Sequence, residues 1–106
     1  MLTRAEIEAL SDEGASYYVA EKIMEYRNPS YHFLETAHNL NDSVLAAAKL
    51  GCRLEIIIWP GNPALVRAEW PNDAKHEFWT MEFEHVNASR AACNAVIAAN
   101  EARPQS

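Results

Sequence analysis

The chain has 106 residues, 49% of them apolar and 23% charged, with a formal net charge of −6. That length suits one hydrophobic core and is too short for two independently stable ones, and the composition is that of a globular domain, not a disordered segment. The acidity, with nine lysines and arginines spread from Arg4 to Arg103 instead of gathered in a stripe, argues against direct nucleic-acid binding and suits docking on a basic protein surface.

Thr3 followed by Glu6 has the spacing of a capping box and predicts a helix start. Ile7, Leu10, Gly14, Tyr17, Glu21 and Met24 then fall on one stripe, widened by Tyr18, Val19 and Ile23. Ser11-Asp12-Glu13-Gly14 interrupts the pattern, so a short turn of helix followed by a longer helix from near Ser11 is expected, ending at Arg27-Asn28-Pro29. Residues 30–38 show neither helical nor strand period and read as a packed connection. Asn39 is a cap candidate for a second helix over roughly 40–50, with Leu40, Val44, Ala47 and Ala48 as its apolar stripe and Gly51 as its stop.

Beyond Gly51 the residues become β-branched and aromatic. Three runs, Arg53 to Trp59, Ala64 to Trp70 and His76 to Val86, are separated by Pro60-Gly61-Asn62-Pro63 and Pro71-Asn72-Asp73-Ala74-Lys75. Connections this short require an antiparallel meander. Asn87 caps a last helix with Ala92, Cys93, Val96, Ile97 and Asn100 along one side, ending before Pro104. The expected fold is a single α+β domain over residues 1–106, a three-stranded antiparallel sheet packed with about three helices in the order α-α-β-β-β-α, with residues 1–3 and 102–106 frayed.

Alternation assigns the faces of the sheet. Leu54, Ile56 and Ile58, with Val66, Ala68, Trp70, Trp79, Met81 and Phe83, point toward the helices. Arg53, Glu55, Ile57, Trp59, Leu65, Arg67, Glu69, Phe78, Thr80, Glu82 and Glu84 point away. A cross-strand pair such as Arg67 with Glu82 is compatible with this parity, but the register is open.

The motifs of common chemistries are missing from the sequence. His32, His38, His76 and His85 match no zinc spacing, and Cys52 is far from Cys93. Both cysteines are expected reduced and buried as small apolar side chains. Gly14, Gly51 and Gly61 are isolated, so no phosphate-cradling loop exists, and neither a nucleophile elbow nor a cysteine-nucleophile signature is present. Glu82 and Glu84 share a strand face, with Glu69 as a facing carboxylate. Such a group can do acid–base work or hold a divalent ion, but alternating polar residues are also what a solvated sheet face requires. No run is long enough to span a bilayer, and the start lacks the basic and apolar segments of a secretory signal, so the cytoplasm is the expected compartment.

Val19-Ala20-Glu21-Lys22-Ile23-Met24, Asn39-Leu40-Asn41 ahead of Ala46-Ala47, the strand hairpin, and Ala91-Ala92-Cys93-Asn94-Ala95 together resemble the phage ABA-sandwich domain family, small accessory proteins of tailed phages and prophages. The resemblance spans about residues 15–100. In that family the first motif tends to continue into Gly-Trp, where this chain has Glu25-Tyr26. The resemblance implies a sheet layered with helices and a phage accessory role. It supplies no catalytic residue.

The expectation is therefore a non-enzymatic, phage- or prophage-encoded binding protein with no cofactor and no metal. It would inhibit or modulate a host protein, as an anti-CRISPR-like inhibitor does, by engaging the basic surface of a nucleic-acid-binding defence complex. The residues assigned to partner binding are Glu55, Glu69, Glu82 and Glu84, with Trp59 as an apolar anchor. The alternatives are a small ligand- or metal-binding domain or enzyme built on the sheet carboxylates and histidines, and a homodimer formed at the outer sheet edge or the Trp59 end.

Overall fold

Local hydrogen bonding decides where the helices of this computed structural model begin. It describes residues 2–26, 37, 39–72 and 77–102, with backbone alone at 70–72 and 77–80. The capping box forms as expected: Thr3 Oγ1 accepts from the Glu6 amide at 3.2 Å, and Glu6 accepts from the Thr3 amide at 3.0 Å. These bonds start helix α1, Arg4–Ala9. Ser11 Oγ then accepts from the Gly14 amide at 2.9 Å and starts α2, Asp12–Tyr18. The first expected helix is thus two pieces broken at Leu10–Ser11. Leu2 and Thr3, expected to fray, each donate a backbone hydrogen bond, Leu2 to Glu101 Oε1.

From Val19 to Ile23 the α2 path widens into a π-helical turn, in which the Met24 amide reaches back five residues to the Val19 carbonyl. The sequence pattern gave no sign of it. Glu25 then takes a left-handed conformation, φ +57°, and the Tyr26 amide closes onto the Ala20 carbonyl at 3.0 Å. The helix ends here, before the Arg27-Asn28-Pro29 stop, because a residue in the left-handed region reverses the chain. Of the expected connection over 30–38, only Ala37 lies among the described residues. It is buried, and its amide donates to Ser16 Oγ on α2.

Helix α3, Leu40–Leu50, starts on Asn39, whose Oδ1 accepts from the Asn41 amide, and ends on Gly51 at φ +77°. Its buried face is Ser43, Ala46 and Ala47. Val44, placed in the stripe by sequence pattern, is 46% exposed, and Ala48 is exposed. The face is set by the neighbour: α3 packs on the alanine-rich last helix, so its small side chains make the close contact.

Strands β1 (Arg53–Ile57), β2 (Ala64–Asn72) and β3 (Glu77–His85) form an antiparallel meander in the order β1-β2-β3. The α+β architecture and the order α-α-β-β-β-α stand, with the first helix in two parts. β1 stops at Ile57, short of the expected Trp59. Pro60 and Gly61, at φ +81°, build a type II turn in which the Asn62 amide donates to the Trp59 carbonyl, and this takes the chain out of the ladder. β2 instead runs past Trp70 into Pro71 and Asn72. Its proline is tolerated because β1 has already ended opposite Glu69.

Helix α4, Ala88–Ala102, is the middle layer. It packs on all three strands with one side and on α1, α2, the π-helical turn and α3 with the others. Every residue from Arg90 to Ala99 is buried, so the one-sided stripe expected from sequence is replaced by burial all round. The core it organises is made of Ile7, Val19, Ile23, Val66, Ala68 and Phe83 around its alanines, Cys93, Val96 and Ile97. No helix among the described residues is long and apolar enough to cross a membrane.

Candidate functional site on the open sheet face

The parity of the strands and the observed register build three rows on the face opposite α4. Arg53 pairs with Glu69 and Glu69 with Thr80; Glu55 pairs with Arg67 and Arg67 with Glu82; Ile57 pairs with Leu65 and Leu65 with Glu84. The conjectured Arg67–Glu82 pair is therefore real. Arg67 Nη2 and Nε lie 2.6 and 2.9 Å from Glu82 Oε1, and its Nη1 lies 3.3 Å from Glu55 Oε2. The hydrogen-bonded Glu82 carboxylate, with Glu55 and Glu69 adding to the local field, pushes the Arg67 pKa upward.

Four of the five residues assigned to partner binding thus share one face: Glu55, Glu69, Glu82 and Glu84. Their charge is partly cancelled from within. Arg53 lies 3.6 Å from Glu69, and Arg67 bridges Glu55 and Glu82. Among the described residues no cation pairs with Glu84. Glu69 does not face Glu82 or Glu84, as one reading of the strand had it; its β3 neighbour is Thr80. With a guanidinium already between Glu55 and Glu82, this face is a poor cradle for a divalent ion, and among the described residues no three His, Cys, Asp or Glu side chains gather to hold one.

Trp59 sits just past β1, at the first position of the type II turn, and is 63% exposed. Ile58, expected on the covered face, is 68% exposed, because the ladder ends at Ile57 and releases it. Val86 is 87% exposed in the bend after β3. Antiparallel pairing brings the end of β1 and the end of β3 to the same end of the sheet, two strand spacings or about 10 Å apart. Ile58, Trp59 and Val86 therefore form an exposed apolar rim beside the Ile57–Leu65–Glu84 row. Sequence parity located Trp59 but not Ile58 or Val86; the turn residues that end the ladder were the available signal.

Of the histidines, His85 ends β3, and its Nδ1 accepts from the Asn87 amide at 2.9 Å. His32, His38 and His76 lie outside the described residues, as do the side chains of Trp70 and Trp79. Cys52 and Cys93 are both free thiols. Cys93 is fully buried, and burial pushes its pKa up to about 12; Cys52 is partly buried, and burial raises its pKa too.

The arrangement defines an α+β domain whose open sheet face carries an acidic, guanidinium-braced lattice bounded by apolar side chains. No family model matches the chain, and no curated protein or solved structure is significantly similar to it.

Proposed function

We propose that this protein is a non-enzymatic binding protein that docks on a basic protein surface through its open sheet face, with Trp59 as the apolar anchor. The observation that carries the reading is the juxtaposition, among the described residues, of four carboxylates and two guanidiniums with an exposed rim of Ile58, Trp59 and Val86. A desolvated aromatic centre beside a charged field is the usual anatomy of a specific interface. A net charge of −6 adds long-range attraction to a cationic partner.

The resemblance to the phage ABA-sandwich domain family extends the proposal to a phage- or prophage-borne modulator of a host protein, an anti-CRISPR-like inhibitor acting on a basic, nucleic-acid-binding surface in the bacterial cytoplasm. One local feature supports the resemblance. Glu25, which stands where that family tends to have glycine, holds φ +57°, a conformation that glycine adopts without steric cost.

The test is affinity capture from a host lysate, followed by kinetics with the purified captured protein. Reversal of Glu69, Glu82 and Glu84 to lysine is expected to slow association about tenfold or more at low salt, and Trp59→Ser to speed dissociation. An unchanged on-rate for the triple variant, or capture through an acidic surface of the partner, overturns the proposal.

A further inference from the structure

The two outer edges of the sheet are not equivalent. At β3, the Arg4 guanidinium donates to the Glu82 carbonyl and stacks over the Phe83 ring at 4.3 Å. That contact occupies the edge with a side chain, one of the ways proteins prevent strand addition. At β1, among the described residues no group bonds to the outer backbone of Arg53–Ile57. The strand contains no proline, lysine or bulge, so with respect to the described residues its outer N–H and C=O groups are of the kind that pair with another chain.

We propose that the outer edge of β1 pairs antiparallel with the β1 of a second copy of this chain, about a two-fold axis at Leu54, to make a continuous six-stranded sheet. This proposal is independent of the reading of the open face as a docking surface.

The charges on the strand select both the partner and the register. A two-fold axis between antiparallel strands sets some residue opposite itself and pairs its neighbours symmetrically. Centred on Arg53, it opposes two guanidiniums; centred on Glu55, two carboxylates. Centred on Ile56, it sets Glu55 against an apolar side chain. Only at Leu54 do both charges match, with Arg53 opposite the partner's Glu55 and Glu55 opposite the partner's Arg53. Cross-strand pairs of opposite sign stabilise a ladder, and like charges oppose it.

The result extends the charge rows already present. Read across the sheet, Glu82, Arg67, Glu55, the partner's Arg53 and the partner's Glu69 alternate in sign, and the same row repeats by symmetry. Arg53 is available for this: its side chain is 73% exposed and stands 3.6 Å from Glu69, beyond direct hydrogen-bonding distance. On the covered face, the half-buried Leu54 meets its own symmetry mate, and Ile56 meets the partner's Cys52, so partly exposed apolar groups along the edge lose their remaining contact with water.

Sedimentation equilibrium of the purified chain tests the assembly, and cross-linking tests the register. Wild type is expected to dimerise. Arg53→Glu places like charges opposite one another twice and is expected to weaken the dimer roughly tenfold or more. Arg53→Glu combined with Glu55→Arg restores the pairing. In a Cys52→Ser background, Leu54→Cys is expected to form an intermolecular disulfide on mild oxidation, because directly opposed Cα atoms lie about 4.5–5.5 Å apart, within disulfide reach. Glu55→Cys is not, its mates being roughly 8 Å apart. A monomer at all concentrations with no Leu54→Cys cross-link overturns the proposal. A dimer that cross-links through Glu55→Cys and not Leu54→Cys overturns the register.

Discussion

The Arg90 guanidinium lies 2.7 Å from the Asp12 carboxylate, 78 positions earlier in the chain. Its side chain is 5% exposed. The same group donates to Asn94 Oδ1 and to the carbonyls of Ile7 and Leu10, where α1 ends. One side chain from α4 thereby ties together the break between α1 and α2, bonding the Leu10 carbonyl and adding a second donor at the Ile7 carbonyl, which also accepts from the Leu10 amide.

Removing that side chain takes the guanidinium from the part-buried Leu10 carbonyl and leaves the Ile7 carbonyl with the Leu10 amide alone. Arg90→Met is expected to lower unfolding free energy by about 2–4 kcal/mol, toward the lower end of losses for broken buried pairs because Asp12 is half exposed and can be rehydrated. Arg90→Lys should rescue little, since one ammonium cannot reach four acceptors. Urea denaturation followed by circular dichroism measures both.

Glu25 pays for its left-handed backbone at φ +57°, and among the described residues its side chain offers an exposed 3.5 Å contact with Lys49 in return. Glu25→Gly is expected to raise stability by about 0.5–1 kcal/mol, the relief of steric cost outweighing the freedom gained by the unfolded chain and a surface ion pair of small value. A higher urea midpoint with an unchanged slope is the expected readout.

The acid limb of stability is set in part by two depressed carboxylates. Glu6 is lowered by the Thr3 amide and then by the Thr3 hydroxyl; Glu21 is lowered by the Tyr17 hydroxyl and then by Lys22. A carboxylate whose folded pKa lies below its unfolded value contributes fully above that unfolded value, 4.5 here, and loses the contribution as pH falls through the folded one. Replacing both with glutamine should flatten the decline in stability below pH 4.5, as read from urea midpoints across the acid range.

Cys93 behaves in the opposite sense. Its thiol, pushed up to about 12 by burial from an ordinary 9.0, stabilises the fold fully below pH 9 and progressively less as pH rises toward 12. Cys93→Ala should flatten that alkaline decline. In the native protein at neutral pH, an aromatic disulfide reagent is expected to reach Cys52 slowly and Cys93 only after unfolding, a difference visible in the absorbance time course.

Trp59 is 63% exposed, so Trp59→Ser should leave thermal stability within about 0.5 kcal/mol of wild type. A large stability loss in this variant would mean that the indole serves the fold and is not a contact for a partner.

Much of this architecture was legible because it is encoded locally. Thr3, Ser11, Asn39 and Asn87 each accept a backbone amide at a helix start, and Gly51 ends α3. Strand alternation separated Glu55, Glu69, Glu82 and Glu84 from Val66, Ala68 and Phe83 without knowledge of the register. What could not be read is non-local. Arg67 became the bridge between Glu55 and Glu82 only when both neighbouring registers were set. Arg90 stands near a helix start with nothing local to mark it as buried, and its acceptors Asp12, Ile7 and Leu10 come from a distant part of the chain. The burial of α4 on all sides was within reach, since no charge occurs between Arg90 and Glu101. That absence distinguishes a central helix from an amphipathic one.

The placement of α4 also carries a kinetic consequence. This helix follows in sequence every element that it joins, so during synthesis the sheet and the earlier helices leave the ribosome before the segment that unites them. Until Ala88–Ala102 emerges, the inner face of the meander lacks its main cover, and the α1–α2 break lacks its guanidinium clasp. The domain is therefore expected to acquire its native order in a single late event, after this helix clears the exit tunnel, instead of stepwise as the chain lengthens.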